Sequence, residues 1–105
     1  MRKKPRVAAN HTLVEYYLGG KRLPPILKEE FWIDEKGVVT RYSLAYIDPS
    51  VSSLDNGRVL GYDNAHGKHH RHFMGKETQV EFSGFEKLVS RFENEVRQLR
   101  RKHGE

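Results

Sequence analysis

The segment GYDNAHGKHHRHF, residues 61 to 73, holds four of the chain's six histidines, at positions 66, 69, 70 and 72. Lys68, Arg71 and Asp63 stand among them. An imidazole titrates near pH ~6.5, so it takes or gives a proton at working pH. Cleaving RNA without a metal asks for a base to take the 2′-hydroxyl proton and an acid to protonate the leaving 5′-oxygen. It also asks for a cation to steady the charged phosphorane. His70 and His72, two residues apart and near Lys68, meet that demand, and the sequence leaves open which is base and which is acid. Asp63 can orient a histidine by accepting its second N–H, and Tyr62 can donate a hydrogen bond or assist proton transfer. Arg71, Arg58, Asn64 and Lys68 are the candidates for binding phosphate.

Other chemistries compete for the same residues. A metal site would draw three ligands from His70, His72 and either His66 or Asp63. No specific zinc spacing is present, and Lys68 and Arg71 would repel a dication, so no metal ligand and no cofactor is assigned. The hairpin can also hold RNA or a ribosomal site as a basic patch, without catalysis. Taken singly, each residue has a plain structural role: Asp63 and Asn64 build a turn, Gly67 satisfies its φ, and a histidine sits in water. The cluster resists that account, because a solvated hairpin gains nothing from four imidazoles beside two fixed cations.

A strand, a turn and a strand must position these groups. RVLGYD (58–63) has strand character, Asn64-Ala65-His66-Gly67 suits a type I turn followed by a left-handed glycine, and the next strand begins at Lys68. Alternation puts Lys68, His70 and His72 on one face and His69, Arg71 and Phe73 on the other. This loop sets Tyr62 opposite His70 and Asp63 near His69, and a slip of one residue would exchange every facing pair. Further strands are expected at 11–18, 30–35, 38–47 and 77–82, rich in β-branched and aromatic residues. The segment GGKRLPP breaks the first of these, DEKG closes a short hairpin, and Asn56-Gly57 ends a loop. After Ser83, which with Glu86 forms a capping-box pattern, Phe85, Leu88, Val89, Phe92, Val96 and Leu99 recur at helical spacing. Arg97, Arg100, Arg101 and Lys102 crowd that helix's last turns, where its dipole favours cations. The fold class expected is α+β: an antiparallel β-meander of five to six strands with one C-terminal amphipathic helix packed on one face. Residues 1–10 are expected as a basic flexible arm able to lie on phosphate, and 11–105 as a single α+β domain. Trp32, Tyr16, Tyr17, Tyr42 and Tyr46 are expected to pack the sheet, while any on its uncovered face can stack bases or meet a protein.

Composition narrows the partners. The 105 residues carry a net charge of +5, which favours polyanions such as nucleic acid or an acidic protein. There is no cysteine, which excludes disulfides and thiolate metal sites. No apolar run is long enough to span a membrane, and the basic N-terminus lacks the apolar stretch of a signal peptide, so a cytoplasmic protein is expected.

The stretch RVLGYDNAHGKHHRHFMGKETQVEFSGFEKLVSRF resembles the TumE family, usually the toxin half of prokaryotic toxin–antitoxin pairs. The family pattern Y-D-N-x-x-G-K-x-x-x-H falls on Tyr62, Asp63, Asn64, Gly67, Lys68 and His72, and a phenylalanine and a helix opening on serine follow. The strand RYSLAYI ahead of it is also similar, and the resemblance covers residues 30 to 100. It implies a toxin that stops growth by acting on RNA or translation, and a cognate antitoxin carrying a DNA-binding helical domain. Residue roles rest on the chemistry above rather than on the resemblance. An exposed edge strand offers a way to pair with a second copy, as a homodimer, or with the antitoxin.

Overall fold

The computed structural model describes residues 2–7, 10–19 and 24–104, with side chains from residue 10 onward. Strands β1 (Arg2–Val7), β2 (His11–Tyr17), β3 (Ile26–Ile33), β4 (Val39–Ile47), β5 (Arg58–Asp63), β6 (His70–Phe73) and β7 (Lys76–Gln79) pair in chain order. Every pairing is antiparallel, and helix α1 (Phe85–Lys102) follows. This is the expected α+β meander with a C-terminal helix, with one strand more. That strand is β1, which lies along β2 from Arg2↔Tyr17 to Val7↔Thr12 in the stretch expected as a flexible arm. The arm's side chains, and residues 20–23 of the break before β3, lie outside the described residues.

Strand alternation divides the sheet into two unlike faces. On β4, Tyr42, Leu44 and Tyr46 are buried toward α1, together with Leu60 and Tyr62 of β5. The helix meets them with Leu88, Phe92 and Val96, and flanks them with half-buried Phe85, Val89 and Leu99. Each such side chain contributes ~1.5–3 kcal/mol when fully buried. The opposite, open face carries the alternate residues: Lys28, Glu30 and Trp32 of β3, and Arg41, Ser43, Ala45 and Ile47 of β4.

Several boundaries differ from the sequence expectation. Strand β3 begins four residues early, at Ile26, because Lys28 and Glu30 occupy the wet face of a strand whose other face is covered. Met74 and Gly75 both take positive φ (46° and 85°) and make a two-residue turn from β6 into β7. The capping box does not form. Gly84 is the N-cap, its carbonyl accepts from the Leu88 N–H at 3.1 Å, and no side chain caps the helix, so Ser83 and Glu86 are each one position out of register. Among the described residues no helix is long and apolar enough to cross a membrane.

Candidate active site on the open sheet face

The hairpin register is shifted by one residue from expectation. Tyr62 faces Arg71, Asp63 faces His70, and Gly61 faces His72. Packing forces the shift. Leu60 and Tyr62 are fully buried against the helix, so their cross-strand partners Phe73 and Arg71 must share that face. The turn accommodates it by placing both His66 (φ 62°) and Gly67 (φ 76°) in the left-handed region, in place of a type I turn with one left-handed glycine. The expected split of His70 and His72 from His69, Arg71 and Phe73 is found. What changes is that Asp63, rather than Tyr62, accompanies the two histidines.

On the open face Asp63 touches both histidines. Its Oδ2 accepts from His72 Nε2 at 2.7 Å, and its Oδ1 stands 3.8 Å from His70 Nδ1. The Ala65 backbone N–H donates to the same Oδ1 at 3.1 Å and holds the carboxylate in place. The ring centroids of His70 and His72 are 6.4 Å apart. The side chains of His70, His72 and Asp63 are 19%, 15% and 18% exposed, reachable by a ligand yet mostly out of water. With Nε2 of His72 donating to Asp63, its Nδ1 is left to exchange protons.

The cation beside this group is Arg58. Its stem crosses the sheet over Gly61, where a Cβ would lie 2.9 Å from Arg58 Cδ. Its Nε donates to Asp55 Oδ2 at 2.6 Å. Asp55, Asn56 and Gly57 all have positive φ (51°, 55° and 84°), a run that Asp, Asn and Gly tolerate better than other residues and that aims Asp55 back at Arg58. Arg58 and His72 line one cavity. The sequence signals for Gly61 and Asp55 were available: a glycine inside a strand marks a close approach, and Asp-Asn-Gly marks a left-handed turn.

Other expected site residues lie elsewhere. Tyr62 is buried on the helix face, donates to Glu95 and accepts from Arg71 Nε at 3.1 Å. Burial, then the bond to Glu95, pushes its phenol up to about 12, so it keeps its proton at working pH, on the face opposite to Asp63, His70 and His72. Arg71 is committed to Glu95 through Nη2 at 2.6 Å, also on the helix face, and is not directed to a phosphate on the open side. Asn64 ties down the start of β4: its Oδ1 accepts from the Tyr42 N–H at 2.9 Å and its Nδ2 donates to the Thr40 carbonyl at 3.0 Å. His69 stacks on Phe82 at 4.0 Å with its Nδ1 2.7 Å from the Tyr42 hydroxyl, and burial lowers its pKa. Lys68 and His66 are exposed at the turn. Tyr42 and Tyr46 pack under the helix, whereas Trp32 lies between His11 (4.5 Å between ring centroids) and Arg41 (4.8 Å) on the open face. Among the described residues no group of three or more His, Asp or Glu side chains is arranged to hold a metal ion.

A meander sheet backed by one helix, with Asp63, His70 and His72 together on its bare face, is the frame on which comparison with known proteins bears. The family model described as toxin TumE matches residues 26–100, from the start of β3 almost to the end of α1. The chain belongs to the TumE family, and so is a toxin of a toxin–antitoxin system whose partner is an antitoxin. No curated protein and no solved structure matches it.

Proposed function

We propose that this toxin is a metal-independent endoribonuclease of the cytoplasm, with its chemistry at Asp63, His70 and His72. One histidine takes the proton of a ribose 2′-hydroxyl as that oxygen attacks the adjacent phosphorus. The other gives its proton to the 5′-oxygen as the P–O5′ bond breaks, leaving a 2′,3′-cyclic phosphate and a 5′-hydroxyl. Asp63 orients the pair, and Arg58 with Lys68 receives the phosphate charge. Arg71 and Tyr62 hold the hairpin onto the helix from behind. The observation that carries this reading is the Asp63 carboxylate facing two histidines on the uncovered face of a basic protein, with exposed Glu77 a further 3.7 Å neighbour of His72. Its antitoxin is proposed to carry a DNA-binding helical domain.

The test is replacement of His70 and His72 by glutamine, which keeps hydrogen bonding and removes proton transfer. Each single variant should lose about 10²–10⁴-fold in RNA cleavage, with RNA affinity within about twofold of wild type. Cleavage should also survive chelators. A double variant that still arrests growth would make the protein a blocker of RNA or ribosome, and activity lost to chelator and restored by zinc or manganese would make it a metal enzyme.

A further inference from the structure

The open face carries two cavities, and Arg58 with Asp55 lines both. The first, of roughly 300 Å³, is a trough whose floor includes Ser43, Ala45 and Ile47, with Lys28, Glu30 and Asn56 among its other lining residues. It exists because β4 places small side chains at two successive open-face positions, and Gly61 follows beside Ala45 on β5. The second, of roughly 640 Å³, lies on the far side of Arg58 against His72, Leu54, Met74 and Gly75. A cation thus stands between two cavities, with His72, the partner of Asp63, bordering one of them.

A phosphodiester has that same shape: one anionic group joining two nucleosides. We infer that the two cavities are subsites for the nucleosides on either side of the scissile phosphate, and that the ligand is a dinucleotide unit of single-stranded RNA. This rests on the endoribonuclease reading and adds to it where the substrate lies. Among the described residues Asp55 holds Arg58 through Nε, which leaves the terminal amino groups for the phosphate. In the trough, Glu30 Oε2 accepts from His11 Nε2 at 2.7 Å and Asp55 Oδ2 from Arg58 Nε, so their second oxygens and the hydroxyl of Ser43 are the acceptors suited to exocyclic amino groups on a base edge. The second cavity offers apolar contact from Met74 and from Leu54, which is 58% exposed and lies over Gly75, where a Cβ would come 3.4 Å from its side chain. It therefore takes a base by its face rather than its edge. Base identity is read on the trough side, and the other position is permissive.

The experiment titrates the isotopically labelled full chain, as its His72→Gln variant, with dinucleoside monophosphates lacking the attacking 2′-hydroxyl, and with mononucleotides for comparison. Amide shifts of Ser43, Ala45, Gly61 and Gly75 are followed. The best dinucleotide should bind at least about tenfold more tightly than either mononucleotide, since linking two subsites makes the second contact intramolecular. Ala45→Leu fills the trough from a solvent-facing position. It should bring the dinucleotide down to mononucleotide affinity while the melting temperature holds, and Ala45→Ser should restore binding. Shifts confined to the helix side, equal affinity for dinucleotide and mononucleotide, undiminished binding by Ala45→Leu, or no binding at millimolar dinucleotide would each overturn it. Binding that follows this pattern in a chain whose histidine variants still arrest growth would leave the subsites standing and remove the catalysis.

Discussion

Asn64 and Tyr62 show how a residue in the hairpin motif can serve the fold rather than the chemistry. Asn64 spends both ends of its amide on β4, accepting from Tyr42 and donating to Thr40. Asn64→Ala leaves the Tyr42 N–H without its partner and should destabilise the protein by ~1–3 kcal/mol. Asn64→Asp keeps the acceptor and should cost less, and urea midpoints of the two variants check the order. Tyr62→Phe removes a hydroxyl from the Arg71–Glu95 pair on the helix side. A loss of ~1–2 kcal/mol in stability is expected, with RNA cleavage per folded molecule unchanged. Cleavage falling as far as in the histidine variants would return Tyr62 to the site.

The β5–β6 hairpin is the element that makes the cluster. Its turn sets Asp63 opposite His70, and one residue of slip would put Tyr62 in that place and Asp63 on the helix side. What holds the register is the pair of large residues, Leu60 and Tyr62, that only the helix can cover. The helix in turn is anchored by its apolar stripe rather than by its cap. Ser83→Ala should therefore change stability by less than ~0.5 kcal/mol, where loss of a working N-cap costs ~1 kcal/mol. Thermal melts of the variant test this, and a drop of several degrees would place a serine cap at the helix start after all. At the sheet's far side, β7 is four exposed residues beginning Lys76-Glu77, a short charged edge of the kind that discourages pairing with another chain.

At the scale of the whole molecule, the interface of sheet and helix contains a carboxyl group whose charge state depends on folding. Glu29 of β3 turns toward α1 and shares a hydrogen bond with Glu93. Burial, then that bond and the neighbouring charge, push its carboxyl from 4.5 up to about 8. Between those values the folded chain holds a proton that the unfolded chain has released. Stability from this group is thus fully present below the lower value, falls as pH rises through the window, and levels off above the upper one. The site is only half-buried, so solvent screening reduces the effect to ~1–2 kcal/mol. Glu29→Gln keeps the neutral form throughout and should flatten the melting temperature from about pH 5 to about pH 9. A wild-type profile already flat there would show an ordinary carboxylate.

Much of this architecture is legible in the chain itself. Period-two stretches with turn residues between them predict the meander, the stripe from Phe85 to Leu99 predicts the helix, and alternation separates His70 and His72 from His69 and Arg71. These are local properties, written in side-chain spacing along one segment. The identity of the group that joins the histidines is not local. Asp63 and Tyr62 are neighbours in sequence on opposite faces, and only packing of Tyr62 beneath Phe92 decides which of them meets the imidazoles. The same holds for Arg71 against Glu95, a pair set by the crossing of elements that no spacing rule connects. Sequence by itself determined which residues can do chemistry and which segments carry them. Tertiary structure decided their company, because register is chosen by the largest apolar area buried and the polar residues take the face that remains.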